Sequence, residues 1–258
     1  MRRLLWGMLG LFWMPWVSAA SSDISERVQV SVYHITGMLE HKNEDLPYSK
    51  ALQHLAHKLP ITMDYHIFHG LRASSLFKNG VTDCLFPGSK QIQSEENLLE
   101  STPLNVAKAY FFAEKMISTE QILKSSRPKL KIGFYRGNSF GGTIKKLRHH
   151  KLTPLNSGAD VRSLLERKRI DVFINYMPDA LAFTNVPGKA PLQYSQASLF
   201  YEQNDSFICH DKPSTRALIA MLNKEIAQLT HSGDFKRSLH QLAKRRKTTA
   251  GATNAHSH

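Results

Sequence analysis

Leu76-Phe77-Lys78-Asn79-Gly80-Val81-Thr82-Asp83-Cys84-Leu85-Phe86 and Leu164-Leu165-Glu166-Arg167-Lys168-Arg169-Ile170-Asp171-Val172-Phe173-Ile174 follow one pattern, repeated at an offset of 88 residues. In each, the apolar end of a short helix leads into a tight turn, then an Asp six residues after the second apolar residue, then three residues that read as a buried strand. Such a unit is common in α/β proteins, so one reading of the echo is chance similarity. The other is two similar α/β lobes, each using the unit to aim the C-terminal end of a strand at its partner. Ligands of open parallel sheets bind at the carboxyl ends of strands, so two such lobes would hold a ligand between them.

Working outward, strands and helices alternate through most of the chain, which predicts an α/β fold with mostly parallel sheets. Arg27 to Tyr33 alternates polar and apolar residues as a half-buried strand does. Tyr48 to Leu59 puts Leu52, Leu55 and Leu59 on one helical face, and Ile61 to Phe68 returns to strand character. Arg72 to Phe77 reads as a short helix stopped by Asn79-Gly80, and Thr82 to Phe86 as a buried strand. Ser118 to Gln121 has the form of a capping box. Leu130 to Tyr135 is a strand entering a Gly-rich turn, with a helix beginning near Thr143. Asp160 is placed to cap a helix from Val161 to Lys168, which leads into a strand over Ile170 to Tyr176. Ser214 and Asp234 are expected to cap two terminal helices.

The chain opens on Met1-Arg2-Arg3, an apolar run from Leu4 to Trp16, and Val17-Ser18-Ala19-Ala20, the three parts of a secretory signal peptide cleaved near Ala19 or Ala20. The run is short for a membrane span, contains Pro15 and is followed by polar residues, which disfavours an uncleaved anchor. The expected location is the periplasm. The net charge of +13 falls to +11 once Arg2 and Arg3 leave. No basic stripe is interleaved with aromatics as single-strand nucleic-acid binders need, so no nucleic-acid partner is expected. An anionic ligand, membrane or cell-wall surface suits the charge better. Residues 244–258 are basic, poor in apolar side chains and expected to be disordered. Cys84 and Cys209 either pair in an oxidising compartment or remain two buried thiols. His54 with His57, His66 with His69, and His149-His150 lack the carboxylate or Cys neighbours of a zinc site, and His149-His150 is expected on a solvated helix. No metal or cofactor is expected.

Taken in order, the leader, VTDCLFPGS, IGFYRGNSFGG, RIDVFINYMPDAL and the closing LIAMLNKEIAQLTHSGDFKRSLHQL resemble the bacterial extracellular solute-binding proteins of family 3 over residues 25–243. The resemblance implies a periplasmic binding protein type II-like architecture, two α/β lobes joined by a two-segment hinge, working as a monomer. It places the first lobe at 24–110 plus 206–243, the second at 111–205, and the crossings at Val106 to Phe112 and Ser206 to His210. It also implies a ligand turn at Arg136, Gly137, Asn138 and Ser139, where backbone amides would face an anion. Phe86 and Ser89 would line the cleft from the first lobe, with Tyr48 packed on the ligand. The alternatives are a structural glycine turn, an ordinary Pro87-Gly88 turn and core packing of Tyr48.

Two departures bear on specificity. Amino-acid binders of that family carry an Arg after the first-lobe loop, yet residues 90–102 contain none. They carry an Asp five residues after the strand Asp, where this chain has Tyr176, with Asp179 a turn later. Arg72, Arg136 and Asp179 are the candidates to substitute. The leading expectation is a non-enzymatic receptor that passes a small polar or anionic solute to an ABC transporter permease or a membrane-bound sensor. Two others compete: a ligand-free envelope interaction protein whose cleft is filled by side chains, and a dehydratase-like enzyme using Asp179 or Glu166 as an acid.

Overall fold

The computed structural model describes residues 27–242 except 42–43, 70, 94–96, 126–128, 157–158, 178, 185 and 187; the leader and the 244–258 tail lie outside the described residues. In chain order the strands are β1 (Arg27–Tyr33), β2 (Thr62–Phe68), β3 (Cys84–Gly88), β4 (Leu98–Glu100), β5 (Asn105–Phe112), β6 (Lys131–Tyr135), β7 (Lys151–Leu155), β8 (Val172–Met177) and β9 (Tyr201–His210). The helices are α1 (Pro47–Lys58), α2 (Arg72–Lys78), α3 (Thr119–Lys124), α4 (Val161–Glu166), α5 (Leu181–Thr184) and α6 (Pro213–Ser232), followed by helical residues 234–242. The strands join in the order β2-β1-β3-β9-β5-β8-β6-β7, with β4 beside β9.

The echo in the sequence is an echo in the backbone. Arg169 N–H donates to Leu164 as Val81 does to Leu76, both at 2.9 Å, and the residues at the turn, Gly80 and Lys168, both have positive φ, 69° and 52°. Asp83 then exchanges hydrogen bonds with Gln29 at the edge of β1, its amide donating to the carbonyl and its carboxylate accepting from the amide, each at 2.9 Å. Asp171 does the same with Lys131 of β6, at 2.8 and 2.7 Å. Each Asp thereby locks its strand parallel to a neighbour: Val30 pairs with Cys84 on one side of the molecule and Ile132 with Val172 on the other.

Two parallel units, β2-β1-β3 and β7-β6-β8, are bridged by β5 and β9, which pair antiparallel over residues 105–109 and 201–205. The second crossing thus lies upstream of the Ser206 to His210 stretch expected for it, because those residues hydrogen-bond to β3 and β4. Val28, Val30 and Val32 of β1 pack with Leu52 and Leu55 of α1 and with Leu218, Leu222 and Ile226 of α6, so the C-terminal helix returns to the first unit. A second core joins Ile132, Val172 and Ile174 to Phe140 and Leu147. Each fully buried side chain of this kind contributes roughly 1.5–3 kcal/mol. Cys84 and Cys209 face each other across β3 and β9 and form a disulfide.

Several local expectations are corrected. Pro213 occupies the first turn of α6 and Lys212 its N-cap, with Thr215 Oγ1 accepting from the Lys212 amide at 3.0 Å, so Ser214 is not the cap. Asp234 pairs with Arg237 beyond Gly233, whose φ of 71° ends α6. Pro87-Gly88 does not turn but continues β3 after a cis Phe86–Pro87 bond. A 3-10 helix over Phe140–Leu147 takes in Gly141 and Gly142, both with positive φ. His150 is buried, bonding Ile122 O through Nε2 and accepting from the Leu130 amide at Nδ1, which is why it does not ride on a solvated helix.

Candidate functional site

Strands β1 and β3 of the first unit and β6 and β8 of the second end at one cavity of about 390 Å³. Tyr33 and His34 reach it from the end of β1, Gly88 and Ser89 from β3, Tyr135 and Arg136 from β6, and Asn175 and Tyr176 from β8. The crossing strands supply its back wall through Ala107, Gln203 and Asp205. The cleft therefore lies where parallel strands of two lobes run out toward each other, the place where such sheets hold ligands.

Eight of the ten expected residues line this cavity: Tyr48, Ser89, Arg136, Gly137, Asn138, Ser139, Tyr176 and Asp179. Tyr48 is also core, with its ring edge-on to Phe235 at 5.2 Å, while its hydroxyl donates to Asp205 and accepts from Asn105 at 2.9 Å. Ser89 is 1% exposed and accepts from the Gln91 amide at 3.3 Å. Arg136 is exposed and tied through Nε to Asn156 at 3.2 Å. Within the turn, the Asn138 amide bonds Tyr135 O at 3.1 Å and the Gly142 amide bonds Ser139 O at 2.9 Å, so those two amides close the turn itself. Tyr176 donates to Gln203 at 2.8 Å. Burial raises the Tyr48, Tyr135 and Tyr176 hydroxyls above the usual tyrosine range, and the nearby charge of Asp179 adds to all three shifts.

Arg72 and Phe86 are not among the lining residues. The Arg72 guanidinium lies over the Phe68 ring at 5.4 Å, a cation–π contact on the first unit's surface. Phe86 stacks on Phe207 at 4.4 Å inside the first core, within β3 rather than at a turn opening into the cleft.

Among the lining residues that escape the sequence reading, three bear on the chemistry of the cleft: Asp205, Gln203 and Arg162. Asp205 is 4% exposed, and burial raises its carboxyl to about 6 against the pull of hydrogen bonds from Tyr48, Asn105 and Gln203. Gln203 stands two residues before it, on the same strand face. The polar run Glu202-Gln203-Asn204-Asp205, shortly before the apolar Phe207-Ile208-Cys209, was the available signal. Arg162 is 8% exposed; it donates through Nε to Glu166 at 3.1 Å and through a terminal nitrogen to Ala190 O, and its other terminal nitrogen is buried without a hydrogen-bond partner among the described residues. At the start of an amphipathic helix it reads as a solvated Arg, and only the packing shows otherwise. Among the described residues no group of three or more His, Cys, Asp or Glu side chains is placed to hold a metal.

Together these features define a two-lobed α/β fold of the periplasmic binding protein type II kind, with a charged interlobe cleft. No protein-family model and no curated protein sequence matches the chain. Among solved structures it is similar to the GluR0 ligand-binding core from Nostoc punctiforme in complex with L-glutamate, at 13% identity and a TM-score of 0.65 over 83% of this chain and 98% of that one. It is also similar to an amino acid ABC transporter substrate-binding protein from Streptococcus pneumoniae bound to L-arginine, at 14% identity and a TM-score of 0.64 over 86% of this chain and 96% of that one. A third is an ancestral amino acid-binding protein described as a precursor of cyclohexadienyl dehydratase, at 14% identity and a TM-score of 0.61 over 84% of this chain and 94% of that one.

Proposed function

We propose that this protein is an exported receptor that captures a small amino-acid-like solute between its lobes and delivers it, as a monomer, to an ABC transporter permease or membrane-bound sensor. The carrying observation is the open interlobe cavity of about 390 Å³ with charges of both signs on its walls. Asp179 and Asp205 provide a negative side for an ammonium group. Arg162, Arg136 and the turn residues 137–139 provide a positive side for a carboxylate. Arg162 takes over, from the second lobe, the part of the Arg missing from residues 90–102: a buried guanidinium with an unfilled N–H is stabilised by an incoming oxyanion. Solved structures of the same fold hold L-glutamate and L-arginine, which supports the size and class of ligand. The leader supports a periplasmic address, and no described helix is long and apolar enough to cross a membrane.

The open cavity argues against a cleft filled by side chains, which the interaction-protein alternative requires. Against a dehydratase-like enzyme, Glu166 is not among the cavity's lining residues, and Lys189 and Arg162 hold its carboxyl below the usual range. Asp205, pushed up to about 6, is a carboxyl whose shift favours that reading, yet it is bonded to Tyr48 and Asn105.

A thermal-shift screen of amino acids and small dicarboxylates on ligand-stripped protein tests the proposal. A true ligand at a hundred times its Kd should add about 2.7 kcal/mol of stability. Arg162→Met should weaken that ligand by about tenfold to a hundredfold. A screen in which nothing shifts the protein overturns the reading.

A further inference from the structure

The cations of this chain are unevenly placed. Residues 111–205 hold 15 Lys and Arg against 8 Asp and Glu, whereas residues 24–110 with 206–243 hold 13 against 12. Within 111–205 they concentrate where β6, β7 and β8 begin. Lys131 and Lys151 are register partners on parallel strands. The Lys131 ammonium donates to Lys168 O at 3.0 Å, which brings the Arg167-Lys168-Arg169 turn against the same strand end. Lys129, Arg148, Lys151, Arg167 and Arg169 are all exposed there. The nearby acids are engaged: Asp171 accepts from the Lys131 amide at 2.7 Å, and Glu114 pairs with Lys168.

Parallel strands give this cluster a fixed relation to the cleft. The cavity meets β6 and β8 at their C-terminal ends, through Tyr135 and Tyr176, and the bases sit at the opposite ends, roughly 15–20 Å away at 3.3 Å per residue. A cation on an edge strand such as β7 can serve only to block edge pairing. That explains Lys151 but not the bases of the 167–169 turn or Lys129.

We propose that this basic end of the second lobe seats the protein on an anionic lipid bilayer, leaving the interlobe cleft open to solvent on the far side. The inference does not depend on the identity of any cleft ligand. A bilayer fits better than a nucleic acid because the only rings among residues 129–131, 148–151 and 167–169 are His149 and the buried His150, so no aromatic platform accompanies the charge. Each Lys or Arg near an anionic membrane surface strengthens attachment about fivefold, so the five exposed cations predict strong, salt-sensitive partitioning.

The test is co-sedimentation of the full chain with vesicles of phosphatidylglycerol in phosphatidylcholine, against phosphatidylcholine alone, at low and high ionic strength. Wild type should bind only the anionic vesicles and release at high salt. The triple variant Lys129→Glu, Lys151→Glu, Arg169→Glu should bind at least about a hundredfold more weakly. Its counterpart with Gln at the same positions, which removes charge without reversing it, should fall between, and guards against a folding defect in the first. The proposal is overturned if wild type shows no preference for anionic vesicles or if the triple variant binds as wild type does. It is overturned equally if single-stranded RNA competes the protein off the vesicles at equal charge.

Discussion

Asp205 sits on a strand that crosses between the lobes, and its carboxyl titrates at about 6 because burial outweighs the hydrogen bonds it accepts. Between roughly pH 4 and pH 6 the native state holds this proton and the unfolded chain does not, so stability must fall as pH rises through that window and stay lower above it. A displacement of this size is worth roughly 3 kcal/mol. Replacing Asp205 with Asn removes the slope while keeping an oxygen for Tyr48. The stability of Asp205→Asn relative to wild type should therefore rise by about 2–3 kcal/mol between pH 4 and pH 7.5, read by urea unfolding at both values. A difference that ignores pH would mean Asp205 is ionised throughout.

At the scale of elements, the duplicated helix–turn–Asp–strand unit was legible because its parts are local: two apolar residues, a turn, and an Asp at fixed spacing. What was not legible depends on contacts from elsewhere. Phe86 turned into the core because β3 runs on through Pro87-Gly88, and Arg162 was buried by the 189–190 segment, neither visible in a window of a few residues. The Gly-rich turn was legible as a ligand turn only in outline, since two of its amides close the turn itself. The duplicated turn also makes a paired prediction. Gly80 has φ 69° and open space where a Cβ would stand, so Gly80→Ala should cost about 1–2 kcal/mol from backbone conformation alone. Lys168→Gly at the matching position should do the reverse, gaining up to about 1 kcal/mol even after losing an exposed ion pair. Thermal unfolding of both variants checks the pair. The Cys84–Cys209 bridge spans 125 residues, and replacing both cysteines with Ser should cost about 2–5 kcal/mol, with the transition moving in the oxidised but not the reduced protein.

For the whole molecule, the two units share one sheet, joined through β5 and β9, and face each other across the cleft. Leu71 of the first unit already lies close against Gly137 of the second, at 3.1 Å from where a Cβ would stand, so the two rims approach each other. A ligand is expected to strengthen that approach, and small-angle scattering should record a smaller radius of gyration on saturation. The central claim, that opposite charges in this cleft hold one small solute, is tested most directly by calorimetric titration of ligand-stripped full chain with amino acids and small dicarboxylates. At least one solute should saturate a single site per chain, weakened tenfold or more by Asp179→Asn and by Arg162→Met in variants that unfold as wild type does. Saturable binding that survives both substitutions unchanged, or no binding by any of these solutes, would contradict it.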